Sequence, residues 1–401
     1  LGREPPDEIK ENEAMGQPMI ANGIQYIGVD DKELDLFESQ YIVPHGMAYN
    51  SYVIFDEKIV VMDTVDARAS TRWLENLRSA LAGKTPDYLV ISHMEPDHAG
   101  TIGELVDAYP NITLVGNGKT FSMLPNFFQL DGVNTLTVKE GDTLSLGQHT
   151  LQFLLAPMVH WPEVMVTYEQ STKTLFSADA FGKFGTLDTE EDWTCEARRY
   201  YFNIVGKYGM QVQSLLKKVA ALEVDTICPL HGPVLKEDLG FYIGKYQIWS
   251  SYQPEDKGVL VAYASIHGHT AQAAQQFAED LRQMGVENVA TTDLTREDLA
   301  EAVEDAFRYD RLVLAASSYD AGVFPPMEHF LLKLKAKNFQ NRTVALIENG
   351  SWGPTAAKTM KGYLEGMKNL TILEPVVTIR SALNEDSSAK LHQLAETVKN
   401  S

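Results

Sequence analysis

From residue 24 onward, short apolar runs alternate with polar turns along the whole chain. Residues 24–29, 51–55 and 59–63 are rich in β-branched and aromatic side chains and read as strands. Asp56-Glu57-Lys58 fits a hairpin connection between the last two. Ser70–Leu81 places Trp73, Leu74, Leu77 and Leu81 at helical spacing. A strand is predicted over 87–91, then strand 111–115, helix 119–126, and strands near 135–138, 150–155, 164–168 and 174–177. Hairpins mixed with βα units predict helices packed outside one or two sheets. Gln253-Pro254-Glu255-Asp256-Lys257-Gly258 is a polar break with Pro and Gly, suited to a domain boundary. Beyond it the alternation becomes regular: strand 259–265, helix 271–284, then strands 286–292, 311–316, 342–347 and 371–379 with helical patterns between. That is the pattern of a doubly wound parallel sheet.

Composition refines this picture. A chain of 401 residues suits two domains, expected at 23–253 and 254–401. Residues 1–22 are expected to be a flexible extension. Residues 1–14 are polar and acidic, native or added, with Met15 an alternative start. There is no run of 18 apolar residues and no basic-then-apolar leader, so neither a membrane helix nor a signal peptide is expected. A net charge of −21 argues against nucleic acid and anionic membranes as partners. Cys195 and Cys228 form no Cys-x-x-Cys pair, which excludes a disulfide framework and a cysteine-held iron site. A reducing, cytoplasmic setting is the expectation.

The chemistry centres on Ser92-His93-Met94-Glu95-Pro96-Asp97-His98-Ala99-Gly100, between an apolar strand and the start of a helix. Imidazole and carboxylate together suit zinc or iron. His160, Asp179 and His231 each stand just past an apolar strand, beside Pro or Gly. Alone, any of the three would read as an ordinary loop residue or cap. Their recurrence around the 93–98 seed makes them ligands in this reading. Seven ligands, His93, Glu95, Asp97, His98, His160, Asp179 and His231, are too many for one zinc and suit two metals sharing a carboxylate. Glu95, Asp97 and Asp179 bring three anionic oxygens, which favour a harder ion able to change valence, as zinc cannot.

Three loops leave the second sheet at its carboxyl rim. Ser265, Ile266, His267, Gly268, His269 and Thr270 offer hydroxyls and backbone N–H groups where a helix begins, an anion site. Ser317, Ser318, Tyr319, Asp320, Ala321 and Gly322 follow the third strand. Asn349, Gly350, Ser351, Trp352 and Gly353 follow the fourth. Tyr319 and Trp352 could flank a planar ring.

The ligand pattern resembles the metallo-β-lactamase superfamily, whose hydrolases usually carry a second His where this chain has Glu95. That change, together with Ala156-Pro157-Met158-Val159-His160-Trp161-Pro162, is similar to the flavodiiron proteins, or A-type flavoproteins. The three rim loops resemble flavodoxin, although the phosphate loop reads His-Gly-His-Thr instead of the more frequent Thr/Ser-Gly-Asn-Thr. The resemblance implies a metallo-β-lactamase-like αββα sandwich followed by a flavodoxin-like doubly wound domain. It implies two irons and FMN as cofactors, and reduction of O2 to water, NO to N2O, or both. One iron is expected on His93, Glu95 and His160 and the other on Asp97, His98 and His231, with Asp179 bridging; the family does not always use His98. The implied partners are a rubredoxin or another small electron donor, and a second copy of the chain in a head-to-tail dimer or a tetramer. Lys333, Lys335, Lys337 and Arg342 form a locally basic segment, an expected docking place for an acidic donor. The competing reading is a dinuclear zinc hydrolase with an attached flavin domain.

Overall fold

The computed structural model describes residues 18–401. Most of the expected N-terminal extension lies outside the described residues, while Met19–Ala21 already forms an edge strand. By packing, the chain divides into two units. The first comprises the residues up to Ser39, Val43–Glu190 and Lys217–Leu239; the second comprises Gln40–Ile42, Glu191–Leu216 and Gly240–Ser401.

The first unit holds two facing sheets. In the seven-stranded sheet the order is Met19–Ala21, Ile24–Tyr26, Tyr52–Ile54, Val60–Met62, Tyr88–Val90, Thr113–Asn117 and Asn134–Val138. It is antiparallel up to Val60–Met62 and parallel beyond. The five-stranded sheet runs Thr143–Ser145, Thr150–Leu155, Met165–Glu169, Thr174–Phe176 and Thr226–Cys228. Ile24, Tyr52, Met62, Val90 and Val115 from one sheet meet Leu151, Phe153, Met165, Phe176 and Cys228 from the other in one apolar core. Tyr52 packs edge-on against Phe176 with centroids 5.4 Å apart, a contact worth about 1 kcal/mol beyond its burial. This is the sandwich that the ligand pattern implied.

The strand expected over 24–29 divides at Gly28. A Cβ there would lie 2.4 Å from the Tyr49 carbonyl oxygen, so only glycine lets the backbones approach. Beyond it Val29–Asp31 leaves the sheet and pairs with Met47–Tyr49.

The second unit is built on a parallel sheet in the order Val289–Asp293, Asp256–Ala264, Tyr309–Tyr319, Thr343–Asn349, then Thr371–Ile372 and Val377–Ile379. In chain order this is 2-1-3-4-5, an order in which ligands bind at the switch point between the first and third strands. The residues expected to close the first domain, 191–216 and 240–253, pack here instead. Arg198 pairs with Glu255 and Glu304, Arg199 with Asp298 and Glu301, and Phe202 stacks on Phe307 at 4.2 Å. The polar break at 253–258 thus marks the entry to the sheet, while the packing unit reaches further back.

Arg342 corrects the docking expectation. It is buried, and its guanidinium donates to the carbonyls of Tyr252, Gln340 and Asn341. Burial pushes its pKa down to about 10. Lys333 donates to Gln40 and Lys337 to the Asn203 carbonyl.

Candidate metal centre and flavin rim

The central strand Tyr88–Val90 delivers the chain to the 93–98 loop. There the Ser92 N–H donates to Asp63 at 2.6 Å. Glu95 then caps a short helix, Pro96–Ala99, whose proline sits in the first turn with its φ already set. Asp97 and His98 are therefore held on a rigid turn. Asp179 follows Thr174–Phe176, and His231 follows Thr226–Cys228. The last loop is tied down by Asn50, which donates to Pro229 and Gly232 carbonyls, and by the Tyr52 hydroxyl, which donates to Pro229.

The structure brings all seven expected residues together, in two groups: His93, Glu95, His160 and Asp179, and Asp97, His98 and His231. Glu95 Oε2 lies 3.2 Å from His93 Nε2 and 2.9 Å from His160 Nε2. Asp97 Oδ2 lies 3.2 Å from Nε2 of both His98 and His231. Asp179 faces both groups. Its Oδ2 is 3.4 Å from His93 and 3.3 Å from His160, and its Oδ1 is 3.2 Å from His98 and 3.9 Å from His231.

Two cations would resolve what these side chains leave open. Among the described residues neither Asp97 oxygen nor Asp179 Oδ1 has a hydrogen-bond donor, although all are buried. The His98 and His231 Nε2 atoms point at each other across 3.0 Å. Converging nitrogens and orphaned anionic oxygens, with the outer ring nitrogens of His93 and His231 held by Glu163 (2.7 Å) and the Ala48 carbonyl (2.8 Å), fit what a metal ion requires of its donors.

The metal-free electrostatics agree. Burial works against a charged His93, but Asp179, Glu163 and Glu95 outweigh it and raise its pKa well above the ordinary value. His98 is raised likewise by Asp97 and Asp179 against the same burial. Burial also opposes protonated His160, yet Asp179 and Glu95 lift it to about 9. Burial disfavours a charged Glu95, but His160 and His93 hold it down to about 2. Protons thus occupy the place of cations. Folded His160 keeps its proton to about pH 9, whereas the unfolded chain releases it near 6.5. Its stabilisation is therefore complete below about 6.5 and lost as pH rises through 9. Glu95 contributes above about 4.5 and loses its contribution as pH falls through about 2. We expect the metal-free chain to lose stability between pH 6.5 and 9, and metal loading at pH 7 to release protons, that of His160 among them. Calorimetry in buffers of different ionisation enthalpy measures that release; a value near zero would contradict it.

Glu163 was not singled out from the sequence, because a carboxylate three residues past His160 carries no signal by itself. It bonds His93 Nδ1 and also accepts from the Met94 N–H at 2.8 Å, so it fixes both ring and loop. Burial opposes its charge, but His93 holds its pKa below the usual range. Glu163→Gln keeps the shape and removes the charge. Metal affinity should fall about tenfold, read by competition with a coloured chelator.

A cavity of about 420 Å³ adjoins the two groups, lined among others by Phe37, Tyr49, Asp66, Arg68, Glu95 and Asp97. The Phe37 and Tyr49 rings stand edge-on to His231 at 5.5 and 6.1 Å. On the other side the Trp161 ring stands edge-on to His93 at 5.2 Å. Of the other histidines, buried His149 bonds Ser171 at 3.0 Å, and His392 lies 3.6 Å from Asp280, both away from this site.

In the second unit the three expected loops lie at the carboxyl ends of neighbouring strands. Thr270 and Ser317 join the first to the second through their hydroxyls at 2.8 Å. Ser318 Oγ accepts from the Thr355 and Ala356 N–H groups, joining the second to the third. Thr355 adds a bond to the Gly322 carbonyl. It falls just outside the segment singled out from the sequence. The Asn349 amide is engaged with Ser381 on both sides, so it braces the third loop from behind. Asp320 and Ala321 take positive φ in the turn between Tyr319 and Gly322. Trp352 is 95 % exposed, Tyr319 45 % and Ile266 39 %. Three apolar side chains left uncovered on one rim, beside an open glycine at position 268, are what a planar ring and its phosphate tail would cover.

No described helix is long and apolar enough to cross a membrane. A family model described as ODP family beta lactamase matches residues 47–232, and a flavodoxin model matches 261–390. The chain is 29 % identical over 387 residues to an uncharacterized protein of Methanocaldococcus jannaschii, covering 94 % of this chain and 96 % of that one. It is 30 % identical over 358 residues to the anaerobic nitric oxide reductase flavorubredoxin of Pectobacterium atrosepticum, covering 86 % and 70 %. The structure superposes on the rubredoxin oxygen:oxidoreductase from Desulfovibrio gigas with a TM-score of 0.89 and 25 % identity, covering 96 % and 98 %. Two family models in this order, a relative matched along most of its length and a shared structure place the chain in the flavodiiron protein family, a family of oxidoreductases.

Proposed function

We propose that this chain reduces O2 to water, NO to N2O and water, or both. In this reading two irons are held by His93, Glu95 and His160 and by Asp97, His98 and His231, with Asp179 shared. The observation that carries it is the placing of Asp179, one carboxylate oxygen toward each group. When bound, the irons and an FMN on the rim of the second unit supply reversible electron storage that no side chain offers.

The residues of the chain do the rest. Glu163 and the Ala48 carbonyl hold the outer protons of His93 and His231, so that Nε2 of each ring faces the centre. Phe37 and Tyr49 wall the cavity beside His231 and limit water there, leaving room for a small uncharged gas. Burial and the neighbouring Asp66, Asp97 and Asp31 raise the Tyr49 pKa, so its phenol stays protonated. Glu95 in place of imidazole adds a negative charge, which favours iron over zinc and redox chemistry over hydrolysis.

Electrons would reach FMN from a separate small donor such as a rubredoxin. The relatives' names, flavorubredoxin and rubredoxin oxygen:oxidoreductase, support that choice. A head-to-tail dimer or tetramer belongs to the same reading. The test is metal and flavin analysis of the purified chain, followed by anaerobic O2 and NO consumption with a reduced donor. About two irons and one FMN per chain with consumption of either gas are expected. Two zincs and no consumption would favour the hydrolase instead.

A further inference from the structure

The cavity beside the ligand groups carries more negative charge than the ligands account for. Among the described residues that line it are the carboxylates of Asp35, Glu38, Asp66, Glu95 and Asp97 and a single cation, Arg68. Arg68 does little to offset them. Its Nε donates at 3.1 Å to Asp31 Oδ2, on a carboxylate outside the lining. Glu95 and Asp97 belong to the ligand groups, whereas Asp35, Glu38 and Asp66 do not. Asp66 is half-buried and fixed, because its Oδ1 caps the turn Ala67–Ala69 by accepting from the Arg68 N–H at 2.8 Å. Asp35 and Glu38 are exposed and flank the strand Leu36–Phe37, whose Phe37 ring stands against His231 at 5.5 Å. Three carboxylates thus remain on the cavity wall after the ligands have been assigned.

Their sign matters because a loaded centre is cationic. Two divalent ions outweigh the three carboxylates Glu95, Asp97 and Asp179, and two trivalent ions outweigh them further. A buried cationic centre collects small anions, which compete with an uncharged gas for the same positions. A cleft lined by one sign of charge changes the arrival of small ions by about 10- to 1000-fold, drawing in the opposite sign and repelling its own. An uncharged gas feels no such field.

We propose that Asp66, with Asp35 and Glu38, makes the cavity an anion filter, which keeps small anions from the metal centre while uncharged gases pass. This selectivity rests on the diiron reading of the site.

The experiment titrates the full chain, loaded with iron and FMN and oxidised, with sodium azide at pH 7, where azide is an anion. Binding is read from the charge-transfer absorption of azide on ferric ion, and the KM for the consumed gas is measured beside it. Both are repeated on Asp66→Asn, on Asp66→Glu and on the triple variant Asp35→Asn, Glu38→Gln, Asp66→Asn. Iron content, FMN content and circular dichroism check loading and folding. The azide Kd should fall about threefold in Asp66→Asn and about tenfold in the triple variant. It should stay within about twofold in Asp66→Glu, which keeps the charge, and the KM for the gas should move less than about twofold throughout. If the triple variant does not fold, the difference between Asp66→Asn and Asp66→Glu decides by the same criterion. An azide Kd that does not fall when the charges are removed would overturn the filter. So would equal tightening of azide and gas, which reports a widened cavity and not a lost charge. Failure of the unaltered chain to take up iron would instead remove the diiron reading beneath it.

Discussion

Asp179→Asn is expected to retain less than half of the iron of the unaltered chain and to consume O2 or NO at least about a thousandfold more slowly, a barrier increase of about 4 kcal/mol. The substitution is nearly isosteric, so the change is one of charge. The carboxylate is buried, and burial alone would raise its pKa. His93, His160 and His98 nevertheless hold it well below the ordinary range. Among the described residues it is the carboxylate that faces both groups, with Oδ1 toward His98 and Oδ2 toward His160. An amide offers a weaker oxygen to one side and N–H donors to the other, where His98 Nε2 would stand against it. Loss of Glu95 or Asp97 would disable one half; loss of Asp179 weakens both. Iron content per chain and single-turnover gas consumption measure the two effects. Two tightly held irons with an undiminished rate would remove Asp179 from the centre. Glu163→Gln should be milder on both readouts, because Glu163 acts through the orientation of His93.

The convergence of these seven residues was legible in the sequence because each sits just past a strand, and strands are the elements that short apolar runs announce best. The hydrophobic pattern placed His93–His98 beyond one sheet and His160, Asp179 and His231 beyond the other. The sandwich then closed the distance. What the pattern does not carry is the support behind the rim. Glu163, Asp63 and Asn50 are single polar residues whose partners lie far along the chain, at separations that no local period encodes. The candidate phosphate loop was placed by its Gly and Thr between a strand and a helix, where the structure has it. Thr355 was not, since its bonds run to Ser318 and Gly322 on another loop. Arg342 misled for a related reason. In sequence it continues a run of lysines, whereas in space it is turned inward to satisfy carbonyls at the ends of two chain segments. The polar break at 253–258 likewise marks where a strand begins. It does not report that the helical segment before it, anchored by Arg198 and Arg199, packs on the second sheet.

That anchoring predicts the second large effect. Arg198→Ala should destabilise the chain by about 3–5 kcal/mol, because a buried ion pair costs most when one partner is removed. Arg198 is 3 % exposed and Glu304 2 %. The guanidinium donates through Nε to Glu304, and through Nη1 to both oxygens of Glu255 at 3.2 Å. Glu255 keeps Lys245 Nζ at 2.6 Å and Trp249 Nε1 at 2.7 Å when the arginine goes. Glu304 keeps no cation among the partners described, and Cys195 Sγ at 4.0 Å is a poor substitute. The cost therefore falls on Glu304, which must either stay charged without compensation or take up a proton. For a unit of this size the thermal midpoint should drop by about 10 °C. The double variant Arg198→Met, Glu304→Leu removes both charges and should recover most of the loss. Thermal melts followed by circular dichroism compare the three proteins. If the single variant melts within about 2 °C of the unaltered chain, water reaches Glu304 and the pair is not what fastens residues 191–216 to the second sheet. If the double variant is as unstable as the single one, the packing of the arginine stem matters more than its charge.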